Sequence, residues 1–393
     1  MLTGPLVGVK IIDLTTIYSG PIATSILGDQ GADVIKIESA AGDPMRQGPS
    51  RRNGVTASFA MLNRNKRSMV VDIRLEQGRQ ILIDLVKTAD VLVENFRPGV
   101  MDRLQLGFDD LRKVNPKLIF VSINGVGDSG PYADRRVYDA VIQAISGIAD
   151  LHSGDTGRPT MVNTLICDKV AAMTTAQAIS SALVARNEAG TGQQVSVSML
   201  DAILFFLWPD SMSAYSLVGL PIGQGPAFSH SFFVRQTSDG YIAVMPVKAG
   251  EWAGTFAALG IPNLMEDESY HAIDDPAVRM GKLNQVLDEA YITFTTKELC
   301  QRLEANEVPF AEINTRAEMF DDPQVQAMGA IVEYEHDVAG PIRQPRPSAQ
   351  FSETPSGPLR SSPQLGAHTK EILSEIGRSA KDIESLQELN VIP

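Results

Sequence analysis

The sequence predicts an α/β protein: a mostly parallel sheet covered by helices on both faces, followed by a smaller α+β domain. Three observations predict it. Short apolar runs alternate with helical patterns through roughly the first half of the chain, and strand–helix–strand alternation brings parallel strands together under helices. A Gly/Pro/Ser-textured passage, Leu220 to Ser231, then reads as a linker. The length of 393 residues exceeds one small core and suits about two or three folding units.

The elements follow in order. Val7–Leu14 reads as a buried strand, and Ser19-Gly20-Pro21 opens a helix with Pro21 suited to its first turn. Asp33–Glu38 and Ser68–Ile73 are strands. Glu76–Thr88 is a helix with Ile81, Leu82, Leu85 and Val86 on one face. Asp90–Glu94 and Leu118–Ile123 are further strands, Tyr138–Ile148 is helical, and Ile166–Ala189 is a long helix stopped by Gly190-Thr191-Gly192. A strand at Gln194–Ser198 and an apolar helix at Met199–Leu217 complete a first domain, 1–218. After the linker, 219–231, a hairpin turns at Ser238-Asp239-Gly240 and leads to helices at Glu251–Leu259, Lys282–Phe294 and Lys297–Ala305. These form a small domain, 232–328. Ala339–Gln364 is Pro- and Ser-rich and expected to be extended. Lys370–Ile376 and Ile383–Leu389 are amphipathic.

Composition narrows the function classes. Hydrophobic residues at 44% and charged at 21% are ordinary for a globular chain. No run reaches about 18 apolar residues and no signal-peptide pattern opens the chain, so a cytoplasmic protein with no membrane partner is expected. Two cysteines, Cys167 and Cys300, make no disulfide framework, and the five scattered histidines suggest no metal site. The net charge of −13 argues against a nucleic-acid partner. Its distribution is uneven. Residues 1–250 hold 23 acidic and 23 basic side chains, so the −13 lies beyond them. Pro44–Val71 has no acid but carries Arg46, Arg51, Arg52, Arg64, Lys66 and Arg67. This stretch is either a solvated basic loop or a source of contacts to phosphates or to a substrate carboxylate.

Several motifs fail. Gly125-Val126-Gly127-Asp128-Ser129-Gly130 fits the dinucleotide pattern, but Pro131 and a polar run follow where a helix must begin. Walker loops and G-x-S-x-G elbows are absent. Cys167 on an apolar helix face reads as a small buried hydrophobe rather than a nucleophile. Asp168 stands near the start of the long helix among apolar and small residues. It is either a first-turn acid facing free N–H groups or a carboxylate nucleophile. Asn95-Phe96-Arg97-Pro98-Gly99 directly follows a strand, with Arg103 just beyond. An aromatic ring and arginines at a strand's carboxyl end suit a nucleotide-bearing ligand.

Taken together, these residues resemble family III CoA-transferases (the CaiB/BaiF family), a group that includes formyl-CoA transferase, carnitine CoA-transferase and α-methylacyl-CoA racemase. The resemblance runs from Leu6–Leu14 to Leu365-Gly366-Ala367-His368-Thr369. It takes in Gly20-Pro21, Gly31–Glu38, Asn65-Lys66-Arg67-Ser68, Glu94–Gly99, Gly130-Pro131-Tyr132 and Gly190–Gln193. It implies a Rossmann-like large domain formed by both chain ends, a smaller inserted domain, and a homodimer of interlocked subunits. Residues 329–393 then return to the large domain. It implies Asp168 as the nucleophile and CoA contacts at Tyr18, Ser19, Ser39, Val71 to Arg74, Asn95, Phe96, Arg97, Arg103, Arg136, Tyr138 and Asp139. Tyr18 stands where formyl-CoA transferase has a glutamine and Ser39 where it has an arginine, which argues against formyl-CoA and oxalate as default substrates.

The implied reaction needs no cofactor; the acyl-CoA thioester is itself a substrate. CoA passes to a small carboxylic acid, dicarboxylic acids included, through aspartyl anhydride and aspartyl-CoA thioester intermediates. Transfer within one dicarboxylic molecule is a variant. Racemases of this fold use a histidine after the Gly-Pro turn, and none stands between Gly130 and Gly147. A racemase and a non-catalytic acyl-CoA-binding relative are the alternatives. The loop Gly219–Ser231, with Gly223 and Gly225, is either a cover for the site or plain linker.

Overall fold

The computed structural model describes residues 3–153, 157–219, 233–357 and 360–393. The chain divides into two compact units: Met1–Trp208 with Gly329–Pro393, and Pro209–Met328. The linker and candidate cover loop lie, beyond Gly219, outside the described residues.

The first unit is built on a six-stranded sheet. Its strands are β1 (Lys10–Asp13), β2 (Asp33–Glu38), β3 (Lys66–Val70), β4 (Val91–Glu94), β5 (Ile119–Asn124) and β6 (Gln194–Ser198), in the order β3-β2-β1-β4-β5-β6. Every pairing is parallel. Successive side chains in a strand point to opposite faces, and the two cores divide accordingly. Ile12, Ile35, Leu92 and Phe120 enter one core; Ile11, Val34, Val91, Val93, Ile119 and Val121 enter the other. The apolar runs of the sequence are continuous because both faces are covered.

Helices supply the covers. α1 (Ser19–Asp29) lies with α4 on the second face, where α4 (Ile166–Ala189) brings Ala176, Ile179, Ala182 and Leu183. These positions lie on one face of the helix, and the α1 and α4 helices pack against each other. Gly190, at φ 74°, ends α4 in the left-handed conformation. α2 (Glu76–Val86) covers the first face with Ile81, Leu82, Leu85 and Val86. α3 (Asp139–Ser146) and α5 (Met199–Leu207) complete the part contributed by the first half of the chain. The apolar pattern to Leu217 predicted a longer α5. It stops at Leu207 because Pro209 has no N–H to continue the ladder.

The second unit has a three-stranded antiparallel sheet, β8 (Tyr241–Val244) lying between β7 (Val234–Gln236) and β9 (Phe310–Glu312). α6 (Ala249–Leu259), α7 (Pro276–Tyr291) and α8 (Thr296–Ala305) enclose its core, which includes Phe256, Leu287, Tyr291 and Leu299.

The segment expected to be extended opens with a strand, β11 (Gly340–Pro345), which pairs with the preceding β10 (Ile331–His336) in a hairpin. Pro341 and Pro345 masked it in sequence. A two-strand sheet has two edges, and prolines are tolerated on edges. Arg64 reaches this hairpin, donating to the Pro345 carbonyl at 2.7 Å. α9 (Thr369–Glu375) and α10 (Ala380–Glu388) then place Ile372, Leu373, Ile383 and Leu386 in the same core as Ile12 and Ile35. No helix among the described residues is long and apolar enough to cross a membrane.

Candidate active site

Strand order reverses between β1 and β4, with β2 and β3 on one side and β5 and β6 on the other. Ligands collect outside the carboxyl ends of the strands at such a point. Here β1 runs into Thr15-Thr16-Ile17 and β4 into Asn95-Phe96-Arg97. The two turns are tied together: Asn95 Oδ1 accepts from the Thr16 N–H at 3.0 Å, and Asn95 Nδ2 donates to the Thr16 carbonyl at 2.9 Å.

Below the first turn sits a buried group of four charges. Lys66 Nζ lies 2.9 Å from Asp13 Oδ2 and Lys36 Nζ 2.9 Å from Asp43 Oδ2, all four side chains fully buried. Lys36 also donates to the Thr15 carbonyl at 2.8 Å, and Asp43 accepts from the Ile17 N–H at 3.3 Å. Burial raises the Asp13 carboxyl, but Lys66, Lys36 and the Thr15 hydroxyl outweigh it and hold the group well below the carboxylate range. Burial pulls Lys66 down to about 8 against the attraction of Asp13. The clamp holds Ile17 at φ 73°, an unusual conformation for a β-branched residue that costs on the order of 1–3 kcal/mol. Gly20 is required close by, since a Cβ there would sit 2.3 Å from that of Thr15.

Two hollows flank these turns. One, of about 270 Å³, is lined by Thr16, Tyr18, Ser19, Asn95, Phe96, Arg97, Gly125, Arg135, Arg136, Tyr138 and Asp168, among others. The other, of about 600 Å³, is lined by Ser39, Val71, Asp72, Arg74, Val100 and the segment Asn390–Pro393. Thr16 and Phe96 line both, so the hollows adjoin. Of the CoA contacts that the resemblance implies, Arg103 and Asp139 line neither.

Asp168 is in the first turn of α4 and 9% exposed. Ser19 donates its hydroxyl to Asp168 Oδ1 at 2.6 Å. Asp139 Oδ2 accepts the Asp168 backbone N–H at 3.0 Å, and Asp139 Oδ1 accepts from Gln143 Nε2 at 2.6 Å. Asp139 is thus a support for the helix start, buried at 2% exposure. Burial raises the Asp168 carboxyl above its ordinary value; Ser19 opposes the rise and the Asp139 charge adds to it. The neighbouring Cys167 thiol is pushed up to about 12, first by burial and then by Asp139 and Asp168, which removes it as a thiolate at neutral pH.

Four of the six basic side chains of the 44–71 stretch meet acids of their own unit. Arg46 pairs with Glu38, Arg64 with Asp29, Lys66 with Asp13, and Arg67 with Asp33, Glu371 and Glu375. For these four, the acid-free run in sequence is compensated in space, because neighbouring elements bring the acids; Arg51 and Arg52 join no acid among the described residues. No ion pair joins Arg97, Arg135 or Arg136 to an acid among the described residues. Arg135 stacks on the Tyr132 ring, 3.8 Å from its centroid. The sequence singles out neither Arg135 nor Thr16, and of the four buried charges only Lys66. Asp13 and Lys36 within apolar strands were the available signal.

Comparison with known proteins identifies a family. The model of CoA-transferase family III matches residues 6–369. The succinate–glutarate CoA-transferase of Agrobacterium fabrum is 32% identical, over 95% of this chain and 96% of that protein. The human succinyl-CoA:glutarate CoA-transferase is also 32% identical, over 95% of this chain and 86% of its own. A crystal structure of a CaiB/BaiF family protein from Brucella suis superposes with a TM-score of 0.81 at 32% identity, covering 95% of this chain and 100% of that one. A buried carboxylate beside a two-part cleft, on a chain matched almost end to end, leaves one assignment: the protein belongs to CoA-transferase family III.

Proposed function

We propose that the enzyme moves CoA from an acyl-CoA thioester to a small dicarboxylic acid, with Asp168 as the covalent nucleophile. The observation that carries this reading is Asp168 itself, a buried carboxylate lining the smaller hollow where it adjoins the larger one. The larger hollow, rich in aliphatic side chains, suits the adenosine end of CoA. The pantetheine arm passes Thr16 and Phe96, and Arg97 and Arg136 face the charged parts of the ligand. A dicarboxylic acceptor is supported by the three arginines around one acid in the smaller hollow, and by the substrates named for the Agrobacterium and human relatives.

The chemistry runs in four balanced steps. Asp168 attacks the thioester carbonyl, forming an acyl-aspartyl anhydride and releasing CoA thiolate. The thiolate adds to the aspartyl carbonyl, giving an aspartyl-CoA thioester and the free donor acid. The acceptor carboxylate attacks that thioester and expels the thiolate again. The thiolate then takes the acceptor's acyl group, restoring the Asp168 carboxylate. One negative charge enters and leaves each step, so no proton donor is required. A racemase needs an acid–base pair for an α-proton, and no histidine lines the smaller hollow among the described residues.

A homodimer, its subunits interlocked, belongs to the same proposal. Met173 and Val184 on α4 and Phe205, Phe206 and Trp208 at α5 and its end are exposed, and large exposed apolar surfaces mark association.

The test is isotope exchange. With labelled succinate or glutarate and succinyl-CoA, the wild type is expected to move label into the CoA pool. Asp168→Ala is expected to lose at least about 1,000-fold in exchange while binding CoA within about threefold of wild type. Exchange that survives in the variant sinks the mechanism. Mass spectrometry across a panel of donors and acceptors then fixes the acid.

A further inference from the structure

Ser19, a CoA contact by the resemblance, directs its hydroxyl at the nucleophile. The geometry points to Ser19 as an oxyanion donor: its hydroxyl stabilises Asp168 Oδ1 when a thiolate or carboxylate adds to the aspartyl carbonyl carbon. The inference rests on the transferase reading above and deepens it.

The argument follows the two carboxylate oxygens. Oδ1 accepts the Ser19 hydroxyl at 2.6 Å, and the Ser19 backbone N–H also faces the Asp168 carboxylate. With Oδ1 held by the hydroxyl, Oδ2 attacks the donor thioester and becomes the bridging oxygen of the anhydride. Oδ1 becomes the aspartyl carbonyl oxygen.

Two later steps go through tetrahedral species at the Asp168 carboxyl carbon. CoA thiolate adds there to break the anhydride C–O bond, and the acceptor carboxylate adds there to break the C–S bond. In both, the π electrons of the carbonyl move onto Oδ1 and return when the leaving group departs. A donor already within hydrogen-bond distance needs no reorganisation as that charge develops.

The surroundings favour the role. Ser19 is the first residue of α1, whose free N–H groups add positive potential. It is 5% exposed, so water competes poorly for Oδ1. The Tyr18–Ser19–Gly20 backbone follows the clamped Ile17, and the Asp168 N–H is fixed by Asp139 on the other side. Donor and acceptor are thus each held from outside the pair.

The experiment compares wild type, Ser19→Ala and Ser19→Cys in the exchange assay, with CoA affinity and melting temperature measured alongside. Loss of one oxyanion donor is expected to lower kcat on the order of 100-fold in Ser19→Ala. KM for acyl-CoA, CoA affinity and melting temperature should stay near wild type, and Ser19→Cys should fall between. The acid limb of kcat/KM should also move to higher pH in Ser19→Ala, because Ser19 opposes the upward push on Asp168 from burial and Asp139. A kcat within threefold of wild type, or a loss carried wholly by KM or stability, overturns the role. An inert wild type would instead count against the transferase reading.

Discussion

At the scale of single residues, the site is governed by burial opposed at named atoms. Glu94 ends β4 and accepts the Phe96 N–H at 2.8 Å, which shapes the turn between the two hollows. Burial pushes its carboxyl up to about 7; Ser122 and the Phe96 N–H pull it back, and Asp128 and Asp102 add to the push. The folded protein therefore holds this proton more tightly than the unfolded chain. The resulting stabilisation is complete below about pH 4.5 and is lost as pH rises through about 7. Glu94→Gln keeps an acceptor for Phe96 and removes the titration. It is expected to flatten the fall in urea stability between pH 5 and pH 8.5, by at most about 3 kcal/mol. An unchanged pH dependence would assign that fall to other groups. Asp168 was legible as an acid in an odd place. Its partner Ser19 was not, because 149 residues separate them in sequence and only the α1–α4 packing joins them.

At the scale of elements, the strands and long helices could be read because period and burial agree. Ile166–Ala189 appears in the structure as the sequence predicts, since one face of small residues and a left-handed glycine define it. The charged side chains in β1, β2 and β3 were a different matter. Asp13, Lys36 and Lys66 stand far apart in one dimension, and only the parallel register brings them together beneath the Thr15–Ile17 turn. Lys66→Met leaves Asp13 without its ion-pair partner in a fully buried place. It is expected to cost on the order of 3–5 kcal/mol in urea unfolding, and to weaken CoA binding as the turn loosens. Restored stability in the double variant with Asp13→Leu would identify the stranded charge as the cause.

At the scale of the whole molecule, the exposed apolar side chains of α4 and α5 carry the prediction. Phe205→Glu combined with Trp208→Glu is expected to lower the mass measured by light scattering from about two chains towards one. A mass of one chain in the wild type would refute the proposed dimer. The adjoining hollows lie within a single unit, so CoA affinity serves as an independent readout of its integrity. The −13 reads differently with the structure in hand: the acids beyond residue 250 include Glu371 and Glu375, which meet Arg67 of the neutral part.

The first core has a further consequence, in time rather than space. Ile35 is made early, and the Ile372 and Leu373 that share its core come more than 300 residues later. At about 5–20 residues per second, a ribosome leaves that side of the sheet incompletely covered for roughly 20–70 seconds. The nascent enzyme therefore has a window in which its apolar strands are open to other chains. Its yield in a cell should follow the supply of chaperones that hold nascent chains, even where the finished protein is stable.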